Sequence, residues 1–214
     1  IVLGEGETEV QALPIFCQQH WGLTPVESGL SFVDAKGCGN YYPFVTLAEA
    51  FQIPWYIFSD GEKDTKKGLK KLLKRTYNED KELAEQNNIF IISSEKDFEG
   101  MLLDDGYKDE IEKAIEQLKG EGYIDEFIRK FNHKPKGREQ TPNICKSCNQ
   151  HIFVDIERIY DGEDGRLTAL DDIMEKNKAQ LGPVLANCII ESEKPLPPLV
   201  VKLFDGIKKD ICHV

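Results

Sequence analysis

Short apolar runs and longer segments of helical texture alternate through the first hundred residues. The apolar runs stand at residues 1–3, 30–33, 55–58 and 89–92. Between them, residues 7–20, 42–51 and 65–86 carry apolar positions at the three- and four-residue spacing of a helix face. Strand, helix, strand, helix is the order of a parallel sheet with helices packed on it. The runs are continuous, not alternating, which fits strands buried on both faces. We therefore expect an α/β fold with a central parallel sheet flanked by helices.

The texture changes after Leu103. The stretch "DDGYKDEIEKAIEQLKGEGYIDEFIRKF" has helical spacing and heavy charge. Residues 132–143, "NHKPKGREQTPN", are polar and hold two prolines, so they read as a loop. "ICKSCNQHIF" and an acidic turn, "YDGEDG", follow. Helical pattern returns from Leu167, broken by Pro195, Pro197 and Pro198 before a last helix near 199–208. This divides the chain into an α/β core (1–103), a mainly helical insertion with a C-x-x-C turn (104–165) and C-terminal helices that return to the core (166–214).

Acidic residues follow three of the apolar runs. Glu5 follows the first, Asp60 and Glu62 the third, and Asp97 and Glu99 the fourth. Strand C-termini of a parallel sheet share one edge, and α/β folds place their sites there. Glu9 lies one helical turn beyond Glu5 and makes a sixth acid. Glu7, two residues from each, is expected to face solvent near a helix N-terminus. Carboxylates gathered at one edge repel each other and raise each other's pKa unless cations or protons compensate. Oxygen-only donors select Mg²⁺, Mn²⁺ or Ca²⁺ over Zn²⁺. Two such ions roughly 3.5–4 Å apart form the clamp used in phosphodiester hydrolysis. The plainer alternative for any one of these acids is a helix cap or a solvated turn.

Four motifs together, "LGEGETE", "FVDAKGCGN", "IFSDGE" and "EKDFEGML", resemble a Toprim domain of the kind in OLD-family (overcoming lysogenization defect) nucleases, Gabija-type anti-phage nucleases included. They cover residues 1–103. The resemblance implies a Toprim-type sheet and a divalent-metal-dependent DNA endonuclease or nickase. It casts Glu5 as metal ligand and acid/base, and Glu9 as the second glutamate of an E-x-x-x-E pair. Asp60 and Glu62 stand where the family has D-x-D, with Glu replacing the second Asp. Asp97 and Glu99 match its D-x-E. Lys178, in "NKAQLGPVLA", resembles the lysine that stabilises transition-state charge, with Lys176 as second choice. The cofactors implied are two Mg²⁺ or Mn²⁺ ions, Ca²⁺ substituting without supporting activity. The implied partners are DNA, an N-terminal ABC-type ATPase domain on the same polypeptide and a helicase-like protein, in a cytoplasmic homo-oligomer acting in anti-phage defence. No G-x-x-x-x-G-K-[ST] occurs in the sequence. With an apolar run at residue 1 and no initiator Met, we expect a C-terminal fragment of such a protein. Primase- or topoisomerase-like phosphoryl transfer is the alternative within Toprim chemistry, and a non-catalytic interaction module the alternative outside it.

The net charge of −11 (pI about 4.9) argues by itself against nucleic acid, whose binding is driven by Lys and Arg. Bound cations change the local sign, and the charge is unevenly spread: "KKGLKKLLKR" holds six basic residues in ten. Lys66, Lys67, Lys70 and Lys71, with Lys74 and Arg75, would line one helix face beside the acids, as a phosphate contact or as a solvated face. Gly37 and Gly39 mark a turn that either admits a phosphate to backbone N–H groups or only bends the chain. Cys145, Cys148 and His151 have zinc-ligand spacing but supply three ligands where structural zinc takes four, so free thiols in a turn fit better than zinc. The scattered cysteines suit a reducing compartment. No apolar run reaches the ~18 residues of a membrane span.

Overall fold

The computed structural model describes residues 1–144 and 147–211. Its central sheet has four parallel strands, β1 (Val2–Gly4), β2 (Phe32–Asp34), β3 (Tyr56–Ser59) and β4 (Ile89–Ile91), in the order β2-β1-β3-β4. Leu3 is in register with Val33 on one side and Ile57 on the other. The central strands β1 and β3 are fully buried because both faces are covered, while the edge strands β2 and β4 are mostly half-buried. Val2, Tyr56 and Phe58 enter one core, and Leu3 and Ile57 enter the other.

Helices α2 (Tyr41–Ala50) and α3 (Lys63–Tyr77) cover the smaller core. The larger core is built on α1 (Glu7–Trp21), α4 (Phe98–Asp104), α5 (Lys108–Lys119), α6 (Tyr123–Phe131), α7 (Gly162–Glu175), α8 (Lys178–Glu191) and α9 (Pro198–Ile211). The acids Glu7 and Glu9 favour the N-terminus of α1, and Gly22, at φ 71°, ends it in the left-handed conformation. Pro198 opens α9, where a missing N–H costs nothing. α1 and α8 pack closely because Gly182 has no side chain: a Cβ there would lie 2.6 Å from the Thr8 carbonyl oxygen. This crossing brings the N-terminal ends of both helices to the sheet edge.

Two expectations are corrected. Helix α3 stops at Tyr77, not at 86, because Asn78 takes the left-handed conformation that a β-carbon ordinarily disfavours but Asn tolerates. Residues 132–143 are not simply a loop: β5 (Pro135–Ile144) pairs antiparallel with β6 (His151–Glu157) in a separate two-stranded ribbon. Its prolines are tolerated because both strands are edges, where a missing donor faces water. The ribbon is exposed along its length, Phe153 to 55%. At its base, Lys136 pairs with Asp172 on α7 at 2.8 Å. Among the described residues no helix is long and apolar enough to cross a membrane.

Candidate active site

The sheet order changes direction between β1 and β3, so the crevice of a doubly wound sheet opens where these two strands end. Glu5 follows β1 there and Asp60 follows β3. Glu5 precedes α1 and is not part of it, so it does not share a helix face with Glu9 as the spacing suggested. Its carboxylate is held from several sides. Ser59 Oγ–H donates to Oε2 at 2.7 Å, and Thr65 Oγ1–H donates to Oε1 at 3.2 Å. The Cys38 and Asp60 backbone N–H groups donate at 3.3 and 3.4 Å.

Glu9 sits in the first turn of α1 and folds back to accept the Gly6 backbone N–H. Glycine at position 6 leaves the room for this: a Cβ would lie 2.9 Å from Glu9 Oε2. Asp97 caps α4, its Oδ1 accepting the Gly100 N–H at 3.0 Å. Glu99 is 2% exposed and accepts the Thr8 hydroxyl at 2.5 Å. Lys178, first residue of α8, reaches into this group. Its Nζ lies 3.4 Å from Asp97 Oδ2, 3.8 Å from Glu99 Oε2 and 2.8 Å from Glu175 Oε2.

Electrostatics join these residues into one unit. Burial, then the charges of Glu9, Glu5, Asp97 and Glu99, push the Asp60 carboxyl up to about 8. Burial raises Glu99 to about 7, against Lys178 and the Thr8 hydroxyl, which favour its charge. Glu9 is also raised, chiefly by burial. Burial opposes the charge of Lys178, but Glu99, Glu175 and Asp97 outweigh it and hold its pKa above the ordinary lysine range. The result is a crowd of carboxyls at the strand ends, one of them holding its proton near neutral pH, faced by one ammonium group.

The family described as "Overcoming lysogenization defect protein-like, TOPRIM domain" matches residues 1–61. The whole chain superposes on solved C-terminal regions of two OLD proteins. With that of Xanthomonas campestris pv. campestris (the platinum-phased structure) the TM-score is 0.65 at 17% identity, over 99% of this chain and 93% of that one. With that of Burkholderia pseudomallei it is 0.62 at 16% identity, over 98% and 96%. The chain carries an OLD-like Toprim fold. None of the curated proteins compared with the sequence matches it.

Within this Toprim fold the other predicted positions separate. Glu62 stands at the N-cap of α3 in an exposed position. Glu7 is exposed, as expected. On α3, Lys67, Lys70 and Lys71 are exposed and Lys66 is half-buried. Lys70 pairs with Glu82 and Lys74 with Asp80. Lys66, Lys67 and Lys71 have no ion pair among the described residues. Lys176 lies over the rings of Phe127 and Phe131, at 4.7 and 5.0 Å, away from the acids. Cys145 lies outside the described residues; Cys148 is a free, exposed thiol and His151 is exposed on the ribbon. His133 pairs with Asp161.

Several participants escaped the sequence reading. Thr8, Ser59 and Thr65 are buried hydroxyls, and nothing in their spacing sets them apart from ordinary helix and strand residues. Glu175 had a signal, since it stands three residues before Lys178 on the preceding helix. Asp171 lies at the solvent rim, where the protein beneath it and the charge of Asp97 raise its carboxyl.

The donor set fits hard divalent cations. It is all oxygen, and Asp60 and Glu99 are pushed toward the protonated form by burial, with neighbouring carboxylates adding to the shift. Among the described residues no three His, Cys, Asp or Glu side chains are already drawn together as a coordination shell. The hydrogen bonds account for this arrangement. Glu9 turns to Gly6, Asp97 caps α4, and Glu99 takes the Thr8 hydroxyl and faces Lys178.

Proposed function

We propose that this chain is the catalytic part of a divalent-metal-dependent DNA endonuclease or nickase. The observation that carries the reading is the meeting of five carboxylates at the strand ends: the Asp60 N–H donates to Glu5, Lys178 stands between Asp97 and Glu99, and the charges of Glu5, Glu9, Asp97 and Glu99 crowd Asp60. Bound at this edge, Mg²⁺ or Mn²⁺ would supply positive charge and Lewis acidity for phosphodiester hydrolysis. Glu5, Glu9, Asp60, Asp97 and Glu99 would hold the ions, with Glu62 at the solvent margin.

The chain's own groups supply the rest. Lys178 stays protonated beside Asp97 and Glu99, so it presents a cation where a phosphate would gain negative charge in the transition state. The deep seat of Glu99 and the buried Thr8 keep water from one side of the cluster. Lys66, Lys67 and Lys71, free of ion pairs among the described residues, can meet the DNA backbone as point charges. The wider setting implied by the resemblance, an ATPase domain on the same polypeptide and a role in defence against phage, is proposed together with this activity.

The competing reading is a non-catalytic interaction module, favoured by one observation, the exposed ribbon with Ile152, Phe153, Val154 and Ile156 open to solvent. Incubation of the protein with supercoiled plasmid and Mn²⁺ or Mg²⁺ separates the two. Nicked or linear product that disappears in Glu5→Ala and Asp97→Ala supports the nuclease. Plasmid left intact under all divalent ions overturns it.

A further inference from the structure

Glu5 is gripped by two hydroxyls from different elements, and neither has an ordinary reason to be there. Ser59 is the last residue of β3 and 1% exposed; Thr65 lies in the first turn of α3 and is 2% exposed. A buried hydroxyl without a partner costs more than the apolar side chain that could replace it. A threonine in a helix commonly bonds a carbonyl of its own preceding turn. Thr65 instead turns to Glu5, with its Oγ1 at 3.2 Å from Oε1 and 3.5 Å from Oε2.

The Ser59 proton is committed to Glu5 at 2.7 Å, so Ser59 can meet a third group only as an acceptor. That group is Tyr41, fully buried at the start of α2, whose O–H donates to Ser59 Oγ at 3.2 Å. Tyr41 therefore fixes the direction in which the Ser59 proton points. The backbone N–H contacts to Glu5, from Cys38 and Asp60, are longer, at 3.3 and 3.4 Å.

We propose that Tyr41, Ser59 and Thr65 form a positioning relay that presents the Glu5 carboxylate to a divalent cation. The inference rests on the metal-dependent reading above. Removing a group that orients a metal ligand without touching the ion commonly costs about 10- to 100-fold in metal affinity.

The test is Mn²⁺ titration of the protein, followed by the paramagnetic resonance signal of free Mn²⁺, with thermal unfolding in metal-free buffer alongside. Thr65→Val keeps the shape and removes the hydroxyl; Thr65→Ser restores it. Thr65→Val and Ser59→Ala are expected to weaken Mn²⁺ binding by about 10- to 100-fold. Thr65→Ser should recover most of the loss, and Tyr41→Phe should show a smaller loss of the same sign. If Thr65→Val does not fold, Ser59→Ala decides alone. Wild-type affinity in both Thr65→Val and Ser59→Ala overturns the relay and leaves the metal site standing. Failure of Thr65→Ser to recover binding also overturns it, since shape and not the hydroxyl would then matter. A wild-type protein that takes up no Mn²⁺ overturns both the relay and the metal-dependent reading.

Discussion

Thr8 and Glu99, 91 positions apart in sequence, are joined by a buried hydrogen bond of 2.5 Å. It ties the start of α1 to the start of α4, so the acids contributed by the first and fourth strand ends are held in one frame. Thr8→Val preserves volume but strands the Glu99 carboxylate. The loss of a buried bond to a charged group costs about 1.5–3 kcal/mol. We expect a lower melting temperature above pH 7, where Glu99 ionises, and a much smaller change near pH 5. Calorimetric scans at the two pH values check this, and an equal drop at both would refute it.

The raised carboxyls make stability depend on pH with a definite sign. Asp60 (about 8) and Glu99 (about 7) keep protons in the folded chain that ordinary acids lose near pH 4 when unfolded. The folded state binds more protons between those limits, so unfolding free energy falls as pH rises through them. In metal-free buffer the melting temperature should be highest toward pH 5 and decline up to pH 8. Asp60→Asn, which imitates the protonated form, should flatten the decline, and millimolar Mg²⁺ should reverse it in the wild type. A rise in stability from pH 5 to pH 8 without metal would contradict the crowded-acid geometry.

Lys178 has two separable effects. Its ammonium group is the cation that faces Asp97, Glu99 and Glu175. Lys178→Met keeps the stem and removes the charge. Plasmid cleavage should fall by at least the ~100-fold typical of a lost charge-stabilising group, with Mn²⁺ binding retained. The metal-free protein should also melt lower, because the acids lose their counter-charge. Lys176→Met is the control: its cation lies over Phe127 and Phe131, an interaction worth about 0.5–1 kcal/mol, and cleavage should be unchanged.

Gly182 sets the distance between α1 and α8. A methyl group there meets the Thr8 carbonyl at 2.6 Å and the Gln11 Cβ at 2.9 Å, and both neighbours belong to a helix. Gly182→Ala should destabilise by about 1–3 kcal/mol through overpacking. It should also lower cleavage by more than the loss of folded protein explains, since Lys178 rides on the same helix. Chemical denaturation measured beside specific activity separates the two effects.

The basic face of α3 predicts a salt signature. Changing Lys66, Lys67 and Lys71 to Gln should weaken DNA binding and reduce the slope of log affinity against log salt by about 0.9 for each phosphate that is no longer neutralised. The same change at Lys70 and Lys74 should matter less, because Glu82 and Asp80 already engage them. Fluorescence anisotropy with labelled duplex at several salt concentrations measures both. An unchanged slope would assign this face to solvent.

The strands were legible because each lies in a continuous apolar run, and the central two, β1 and β3, are buried on both faces, a pattern that depends on composition alone. The position of Glu5 and Asp60 followed from topology, since parallel strands must end on one edge. What stayed hidden depends on distant pairing. The Thr8, Ser59 and Thr65 hydroxyls face carboxylates 54 to 91 residues away, and no local spacing encodes such a partner. The ribbon was hidden for a different reason: its prolines and polar residues mark a loop unless a second edge strand pairs with it. Glu9 was placed in the cluster by an incorrect local argument, helical spacing from Glu5, although Glu5 lies outside the helix.

The larger core runs through all three segments of the chain, from Val2 and Phe58 through Phe98 and Ile115 to Leu185 and Phe204. The acids therefore cannot be transplanted as a cassette. A piece cut at residue 103 would carry Glu5, Asp60 and Glu99 but lose α8, which closes one side of α1 and supplies the opposing ammonium group. Chimaeras between related chains should exchange the whole 1–211 body or only the exposed ribbon, whose base rests on a few polar contacts such as Lys136 with Asp172.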